Sequence, residues 1–222
     1  MSFADNYKLS STYETIQRAA EIYDTPTYLY DEATIKERCR NLTALFPDLP
    51  VNWLYAVKAN DNPYILDIIH KEQLGFDTVS LEEVLLVNRI TEEPRRVLYT
   101  ENNMNDTEMD RAVAAGVWLN IGALYRLETL ASTYPGTECA VRLNLNIGDG
   151  HHEHVITGHR ESKFGIPVRK IEEIKKITAD NRLRVSGLHI HIGSGIREPA
   201  NLISAMKKLL EAAEYFENLK FV

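Results

Sequence analysis

Short apolar runs alternate with longer segments of helical periodicity along most of the chain. The apolar runs predict strands at residues 53–58, 76–80, 97–100, 117–121, 140–146, 186–192 and 219–222. The helical patterns lie at residues 11–23, 32–45, 62–73, 81–90, 105–115, 122–133, 168–178 and 199–217. This alternation predicts an α/β protein with a parallel sheet and right-handed crossovers. We divide the chain into an N-terminal helix and extended segment, residues 1–30, and a sheet-and-helix domain, residues 31–222.

The polarity of the strand faces distinguishes an open doubly wound sheet from a closed (β/α)8 barrel. Side chains alternate between the two faces of a strand, so Arg142, Asn144 and Asn146 share one face, as do His189 and His191. Polar inner faces favour the TIM-type barrel, whose chemistry lies at the carboxyl ends of its strands. The residues at or just beyond predicted strand ends are Lys58, Asp77, Asn120, Arg142, His191 and Ser194.

The strand count predicts an incomplete barrel. Six βα units are complete, and a seventh strand only begins at residues 219–222. A barrel that lacks strands leaves two sheet edges unpaired, and such edges promote association with other chains. We therefore expect the chain to be the N-terminal part of a longer polypeptide, and residues 1–222 alone to aggregate and to be inactive.

Composition narrows the class of function. Hydrophobic residues make up 44% of the chain and charged residues 26%, as in ordinary globular proteins. The net charge of −7 argues against nucleic acid or an anionic membrane as a partner. No run of about 18 apolar residues predicts a membrane span. Cys39 and Cys139 form no CxxC motif and are predicted to be buried thiols, which indicates a reducing cytoplasm.

Two segments carry candidate chemistry. Lys58 ends an apolar run, and a lysine held in apolar surroundings loses its proton readily and can form a Schiff base with an aldehyde. The alternative is a lysine whose amine extends into solvent. His191 precedes a Gly-Ser-Gly turn whose amides and Ser194 hydroxyl could bind a phosphate, although such a histidine can also be an ordinary core residue. Together, the lysine amine, the histidine ring and the turn suit the aldehyde, the ring and the phosphate of pyridoxal 5′-phosphate.

Five ordered segments carry a family resemblance. They are Tyr55-Ala-Val-Lys-Ala-Asn60, Gly75-Phe-Asp-Thr-Val-Ser80, Val141-Arg-Leu-Asn144, Thr157-Gly-His-Arg-Glu-Ser-Lys-Phe-Gly-Ile166 and Gly187-Leu-His-Ile-His-Ile-Gly-Ser194. They resemble the motifs of the alanine-racemase-fold (fold type III) decarboxylases that use pyridoxal phosphate. Within that group they are most similar to the diaminopimelate decarboxylases. The resemblance extends from about residue 25 to the end of the chain.

The resemblance implies a role for each matched residue. Lys58 corresponds to the lysine that forms the Schiff base and later returns a proton, and His191 to the histidine stacked on the pyridine ring. Gly193 and Ser194 correspond to donors to the phosphate.

The resemblance also implies groups around the cofactor and in a partner. Asp77 corresponds to the acid near the lysine, and Arg142 to the arginine that orders the surroundings of the cofactor. Glu82 lies near a further acidic position of the family. A Gly-rich phosphate loop, the carboxylate that pairs with the pyridine nitrogen and a cysteine given to the partner subunit are expected beyond Val222. The parent protein is therefore expected to be a homodimer.

The predicted function is decarboxylation of an amino acid, with meso-diaminopimelate as the leading substrate and lysine as the product. Alternatives within the class are carboxynorspermidine, ornithine and D-amino-acid decarboxylases. A racemase on the same fold is disfavoured by the His-x-His-x-Gly-Ser pattern. Outside the class, a non-catalytic single-barrel pyridoxal phosphate carrier and an inactive interaction fragment are the rivals. The histidine-rich run at residues 149–154, which includes His152, is interpreted as a loop on the structural or substrate side, and no metal is predicted there.

Overall fold

The computed structural model describes residues 13–146, 164–194 and 199–222. Its helices are α1 Tyr13–Tyr23, α2 Glu32–Thr43, α3 Pro63–Lys71, α4 Leu81–Val87, α5 Asp106–Ala114, α6 Leu124–Thr133, α7 Ile171–Asp180 and α8 Pro199–Ala213. Its strands are β1 Leu54–Ala56, β2 Gly75–Thr78, β3 Val97–Thr100, β4 Trp118–Ile121, β5 Glu138–Asn144, β6 Ile166–Pro167 and β7 Arg184–His189. The α/β class predicted from the apolar pattern is confirmed.

The strand order is that of a barrel. From β1 to β5 every strand pairs in parallel with the next one along the chain, and β7 then pairs with β5. A doubly wound sheet would instead reverse its order at a switch point. All carboxyl ends of the strands therefore meet at one edge of the curved sheet, where polar side chains from different strands can converge.

Strand β5 is shared by two neighbours. β7 pairs with its residues Glu138 to Arg142, and the two-residue strand β6 pairs with Leu143 and Asn144. The apolar pattern missed β6 because a strand of two residues has no periodicity to detect. The predicted strand at residues 219–222 is present only as one parallel bridge, between Phe221 and Gly187.

The core lies between the sheet and the helices. It is built from outward-facing strand residues such as Phe76 and Val141, from Val57 just after β1, and from one apolar face of each packed helix. The helices begin at polar caps. Asp31, Asn62, Ser80 and Asn105 each accept a hydrogen bond from a backbone N–H of the first turn.

Candidate active site

Lys58 lies just beyond β1 and not within it. The predicted strand at residues 53–58 is too long, because the chain turns after Ala56 into a single 3-10 turn, Val57–Ala59. Val57 is completely buried, whereas Lys58 is exposed. Of the two interpretations of this lysine, the structure agrees with an amine that extends into solvent, since Val57 alone of the flanking residues is buried. The exposed amine is free to meet a ligand.

Asp77 of β2 faces this lysine across the strand ends. Its register partner on β1 is Ala56, two residues before Lys58. Burial raises the pKa of Asp77, and the hydrogen bond from Thr100 and the positive charges of Lys58 and Arg142 oppose that rise. The carboxylate is thus costly to ionise, and it is held in place by neighbouring donors and cations.

A short hydrogen-bond chain fixes the Asp77 carboxylate. The Thr100 hydroxyl on β3 donates to Asp77 Oδ1 at 2.6 Å, and Asn120 Nδ2 on β4 donates to Thr100 Oγ1 at 3.3 Å. Both donors are buried. Residues of three adjacent strands therefore orient one carboxylate next to Lys58.

Arg142 lies on β5, and its positive charge acts on Asp77. It is 8% exposed, and its guanidinium lies 5.2 Å from the centre of the Phe164 ring. Burial lowers the pKa of Arg142, while the charges of Asp77 and Glu101 act in the opposite direction. A buried guanidinium requires such neighbours, because an isolated buried charge is strongly destabilising.

Two histidines follow at the end of β7. His189 pairs with Arg142 in the strand register, and burial lowers its pKa to about 3, with further contributions from Arg142 and His191. Its Nδ1 is buried without a hydrogen-bond partner in the described residues. Burial lowers the pKa of His191 as well, with help from the charges of Arg142 and Lys58. The half-buried imidazole of His191 is therefore uncharged at neutral pH.

Gly193 and Ser194 end the described range 164–194. Gly193 has a φ of 128°, a backbone conformation that glycine adopts without strain. Ser194 is exposed, so its hydroxyl is accessible. The rest of the Gly-Ser-Gly turn and the histidine-rich run at residues 149–154 lie outside the described residues.

Four of the six predicted site residues lie together at the strand ends. Asp77 pairs in register with Ala56, two residues before Lys58, and Arg142 pairs with His189, two residues before His191. The charges of Lys58 and Arg142 act on both Asp77 and His191. Gly193 and Ser194 follow two and three residues after His191 in the chain. Their place in the site remains a prediction.

Two carboxylates of this region were missed. Glu83 of α4, and not Glu82, turns towards the cluster; its Oε2 accepts a hydrogen bond from Val79 N at 2.8 Å. Burial raises the pKa of Glu83, and it lies within electrostatic reach of Asp77, Asp61 and Lys58. The Ser80-x-x-Glu83 capping pattern could have revealed it, because such a glutamate folds back over the start of its helix. Glu101, directly after β3, has no comparable sequence signal.

The donor set fits pyridoxal phosphate. An exposed amine suits the aldehyde, the uncharged imidazole of His191 suits a ring face, and the region of Gly193 and Ser194 offers an amide and a hydroxyl to an anion. Among the described residues no group of three or more His, Cys, Asp or Glu side chains could hold a metal ion. Across the same ranges, no helix has the length and apolar character to cross a membrane.

Comparisons with known proteins agree with this chemistry. A family model described as "Pyridoxal-dependent decarboxylase, pyridoxal binding domain" matches residues 32–221. The diaminopimelate decarboxylase of Methanothermobacter thermautotrophicus is 36% identical over 197 residues, which are 87% of this chain and 46% of that protein. The chain thus spans about half the length of the curated relatives it matches.

Solved structures show the same fold. The diaminopimelate decarboxylase of Helicobacter pylori, in a complex with L-lysine, superposes with a TM-score of 0.83 at 27% identity, over 90% of this chain and 52% of that one. The arginine decarboxylase of Paramecium bursaria Chlorella virus, bound to agmatine, has a TM-score of 0.79 at 22% identity, over 91% and 53% of the two chains. At that identity the second likeness concerns the fold alone.

Proposed function

The chain belongs to the pyridoxal-dependent decarboxylases, whose pyridoxal-binding domain it contains, and we propose that its protein decarboxylates meso-diaminopimelate to L-lysine with pyridoxal 5′-phosphate. The observation that carries the proposal is the cluster at the carboxyl ends of the strands. There an exposed lysine amine lies beside a carboxylate, a buried guanidinium and an uncharged imidazole.

Lys58 would hold the cofactor covalently through its Nζ, and its position on a rigid turn next to β1 suits that role. When bound, pyridoxal phosphate supplies an electron sink for the pair of electrons that the departing carboxylate leaves behind. As the family resemblance implies, Lys58 would also return a proton to the substrate carbon after CO2 has left.

Asp77 would keep the Lys58 nitrogen protonated and oriented. The hydrogen bond from Thr100 holds its carboxylate, and the positive charges of Lys58 and Arg142 oppose the rise in its pKa that burial causes. His191 would pack its neutral ring against the cofactor, since a charged imidazole would repel a pyridinium. Gly193 and Ser194 would donate to the phosphate.

Diaminopimelate is supported as the substrate by relatives that share the name diaminopimelate decarboxylase. The test is release of CO2 from meso-diaminopimelate, ornithine, arginine, carboxynorspermidine and D-amino acids by the intact protein. Turnover confined to meso-diaminopimelate supports the proposal. Preferential turnover of another amino acid would show that the proposed substrate is wrong and that the protein is still an amino-acid decarboxylase. Turnover of none would refute both the substrate and the activity.

We propose further that the protein is a cytoplasmic homodimer. The family resemblance, in which a partner subunit completes the site, supports the dimer. The exposed aromatic side chains Tyr23, Tyr28 and Tyr64, each more than 70% accessible, offer apolar contact surface. The free, buried thiols of Cys39 and Cys139 are compatible with a reducing compartment. Light scattering of the purified protein measures the mass directly, and a monomeric mass at working concentration would contradict the dimer.

A further inference from the structure

Glu101 is a buried carboxylate beside the proposed site. It follows β3 directly and is 6% exposed, and its Oε2 accepts a hydrogen bond from the backbone N–H of Gly122 at 2.9 Å. A buried glutamate is rare unless a partner compensates for its lost hydration. One amide is a weak partner for a full negative charge, so a cation must contribute.

Arg142 is the cation whose charge interacts with Glu101, although the two side chains form no direct ion pair in the described residues. A Cβ placed on Gly122 would lie 3.4 Å from Glu101 Oε2 and 3.8 Å from Arg142 Cδ. The carboxylate and the stem of the arginine therefore pack against the same side of one glycine. Gly122 follows β4, between the strands that carry the two charges, so Glu101 approaches Arg142 across β4.

Arg142 is thus shared by two carboxylates, Glu101 and Asp77. Asp77 also faces Lys58. With both carboxylates charged, the two anions balance the two cations, Arg142 and Lys58. Without the charge on Glu101, Asp77 alone would have to compensate both cations, and the more deeply buried Arg142 would compete for it.

Other titratable groups surround this set of four charges. From β7, His189 and His191 face Arg142, and His191 also faces Lys58. From α4, Glu83 faces Asp77 and Lys58, and Asp61 reaches Glu83 from the turn before α3. From β3, Tyr99 lies in the field of Glu101, and burial with nearby carboxylates raises its pKa to about 12, so it stays neutral.

We propose that Glu101 is a positioning residue that balances the charge of Arg142 from the β3 side and so leaves the Asp77 carboxylate to Lys58. The inference rests on the proposed function, because its measurable consequence is a change in the titration of the cofactor attached to Lys58. It adds to that function a residue that touches neither substrate nor cofactor.

The test variant is Glu101→Gln, which keeps the shape and an oxygen for Gly122 N–H but loses the charge. The absorbance of pyridoxal phosphate bound to the intact protein is titrated against pH. The midpoint, which reports the protonation of the Lys58 nitrogen joined to the cofactor, should fall by on the order of one pH unit, since the site becomes more positive and Arg142 competes for Asp77. An unchanged midpoint would overturn the proposal.

A double-mutant cycle tests the route through Asp77. If Glu101 acts by leaving Asp77 to Lys58, the shift caused by Glu101→Gln should shrink or disappear in an Asp77→Asn background. An equal shift in both backgrounds would mean that Glu101 acts directly on the Lys58 nitrogen, which contradicts a positioning role.

A second variant tests the proposal even if the Glu101→Gln protein does not fold. Gly122→Ala keeps every charge but inserts a methyl group between Glu101 and Arg142, at a residue whose Cβ contacts are 3.4 Å or longer. It should lower the midpoint in the same direction and by less. Glu101→Asp, which retains the charge, should stay close to the wild-type midpoint. An unshifted Gly122→Ala protein would refute the geometric part of the proposal.

The matched control is Asp106→Asn. It removes the carboxylate that pairs with Arg126, another buried arginine, on the outer helices. It should leave the midpoint unchanged; a shift equal to that of Glu101→Gln would show that the effect is not specific and would overturn the proposal. Failure of the proposed function looks different, because wild-type protein would then show no cofactor absorbance that depends on Lys58.

Discussion

The two ends of the sheet carry the same kinds of charged residue in opposite arrangements. At the amino ends of the strands, Glu138 of β5 lies 3.2 Å from Arg184 and 2.8 Å from Lys220, and these pairs lower its pKa. At the carboxyl ends, burial raises the pKa of Asp77 and lowers that of His191. The charged groups at the amino ends are paired with one another, whereas the ionisable groups at the carboxyl ends have pKa values shifted by burial.

Side-chain packing also differs between the amino and carboxyl ends of the strands. At the amino ends, Trp118 lies 4.4 Å from the Arg95 guanidinium and contacts the Phe221 ring edge-on, at 5.2 Å. Gly187 permits this, because a Cβ there would lie 2.3 Å from the Phe221 ring. At the carboxyl ends Lys58 is exposed, and the buried atoms Asn120 Oδ1 and His189 Nδ1 have no hydrogen-bond partner in the described residues. The comparison teaches that one end is built for stability, whereas the other keeps an exposed amine beside ionisable groups with shifted pKa values.

The largest expected effect comes from Lys58→Ala. It should abolish covalent attachment of pyridoxal phosphate and reduce decarboxylation below detection, while the melting temperature of the cofactor-free protein stays the same, because Lys58 is exposed. Borohydride reduction followed by mass spectrometry locates the attachment. Lys71→Ala, which removes an exposed lysine paired with Asp67 on α3, is the control and should retain activity. Cofactor trapped on another lysine would contradict the assignment.

At the opposite end, Glu138→Gln should cost stability but not chemistry. It removes two ion pairs whose cationic partners are more than half exposed, so the expected loss is about 1 kcal/mol, seen as a melting temperature lower by roughly 2–4 °C. Since pairing lowers the pKa of Glu138, this contribution is complete above the ordinary glutamate pKa and fades as pH falls through the lowered value. A large loss of turnover at saturating cofactor would contradict the division between the two ends.

His191→Ala tests the carboxyl ends of the strands through their affinity for the cofactor. Loss of ring stacking should weaken pyridoxal phosphate binding by about 1 kcal/mol, or roughly fivefold in Kd, with little change in the melting temperature of the cofactor-free protein. Equilibrium titration of cofactor absorbance measures it. Because the imidazole is already neutral, the Kd of the wild-type protein should not depend on His191 titration at neutral pH. An unchanged Kd in the variant would count against stacking.

The smallest effect should be a gain in stability from Asp77→Asn. The folded state raises the pKa of Asp77, so ionisation of this carboxyl destabilises the fold as pH rises from the ordinary aspartate pKa through the raised one. The variant should therefore melt slightly higher than wild type at neutral pH, by up to about 1 kcal/mol in stability. The difference should vanish below the ordinary pKa, while activity falls. A variant less stable at neutral pH would show that the lost attraction to Lys58 and Arg142 outweighs the relieved cost of burying the charge.

Much of the fold could be predicted because its signals are local. The apolar periodicity placed all eight helices of the described residues within a few positions, and caps such as Asn62 before Pro63 mark where they begin. Strand ends were less accurate. The predicted strand continues two residues past the true end of β1, since the three residues Val57–Ala59 are too few to show the three-residue period of a 3-10 turn.

The sequence by itself determined the parallel α/β architecture and the lysine, aspartate, arginine and histidine of the candidate site, because strand alternation and short motifs are written in neighbouring residues. Only the tertiary structure decided that Glu101 and Arg142 both lie against Gly122, that Glu83 rather than Glu82 turns inward, and that Lys58 stays exposed. These features depend on contacts between strands that are distant in the chain. A single glutamate after a strand looks the same in sequence whether it is hydrated or buried against an arginine.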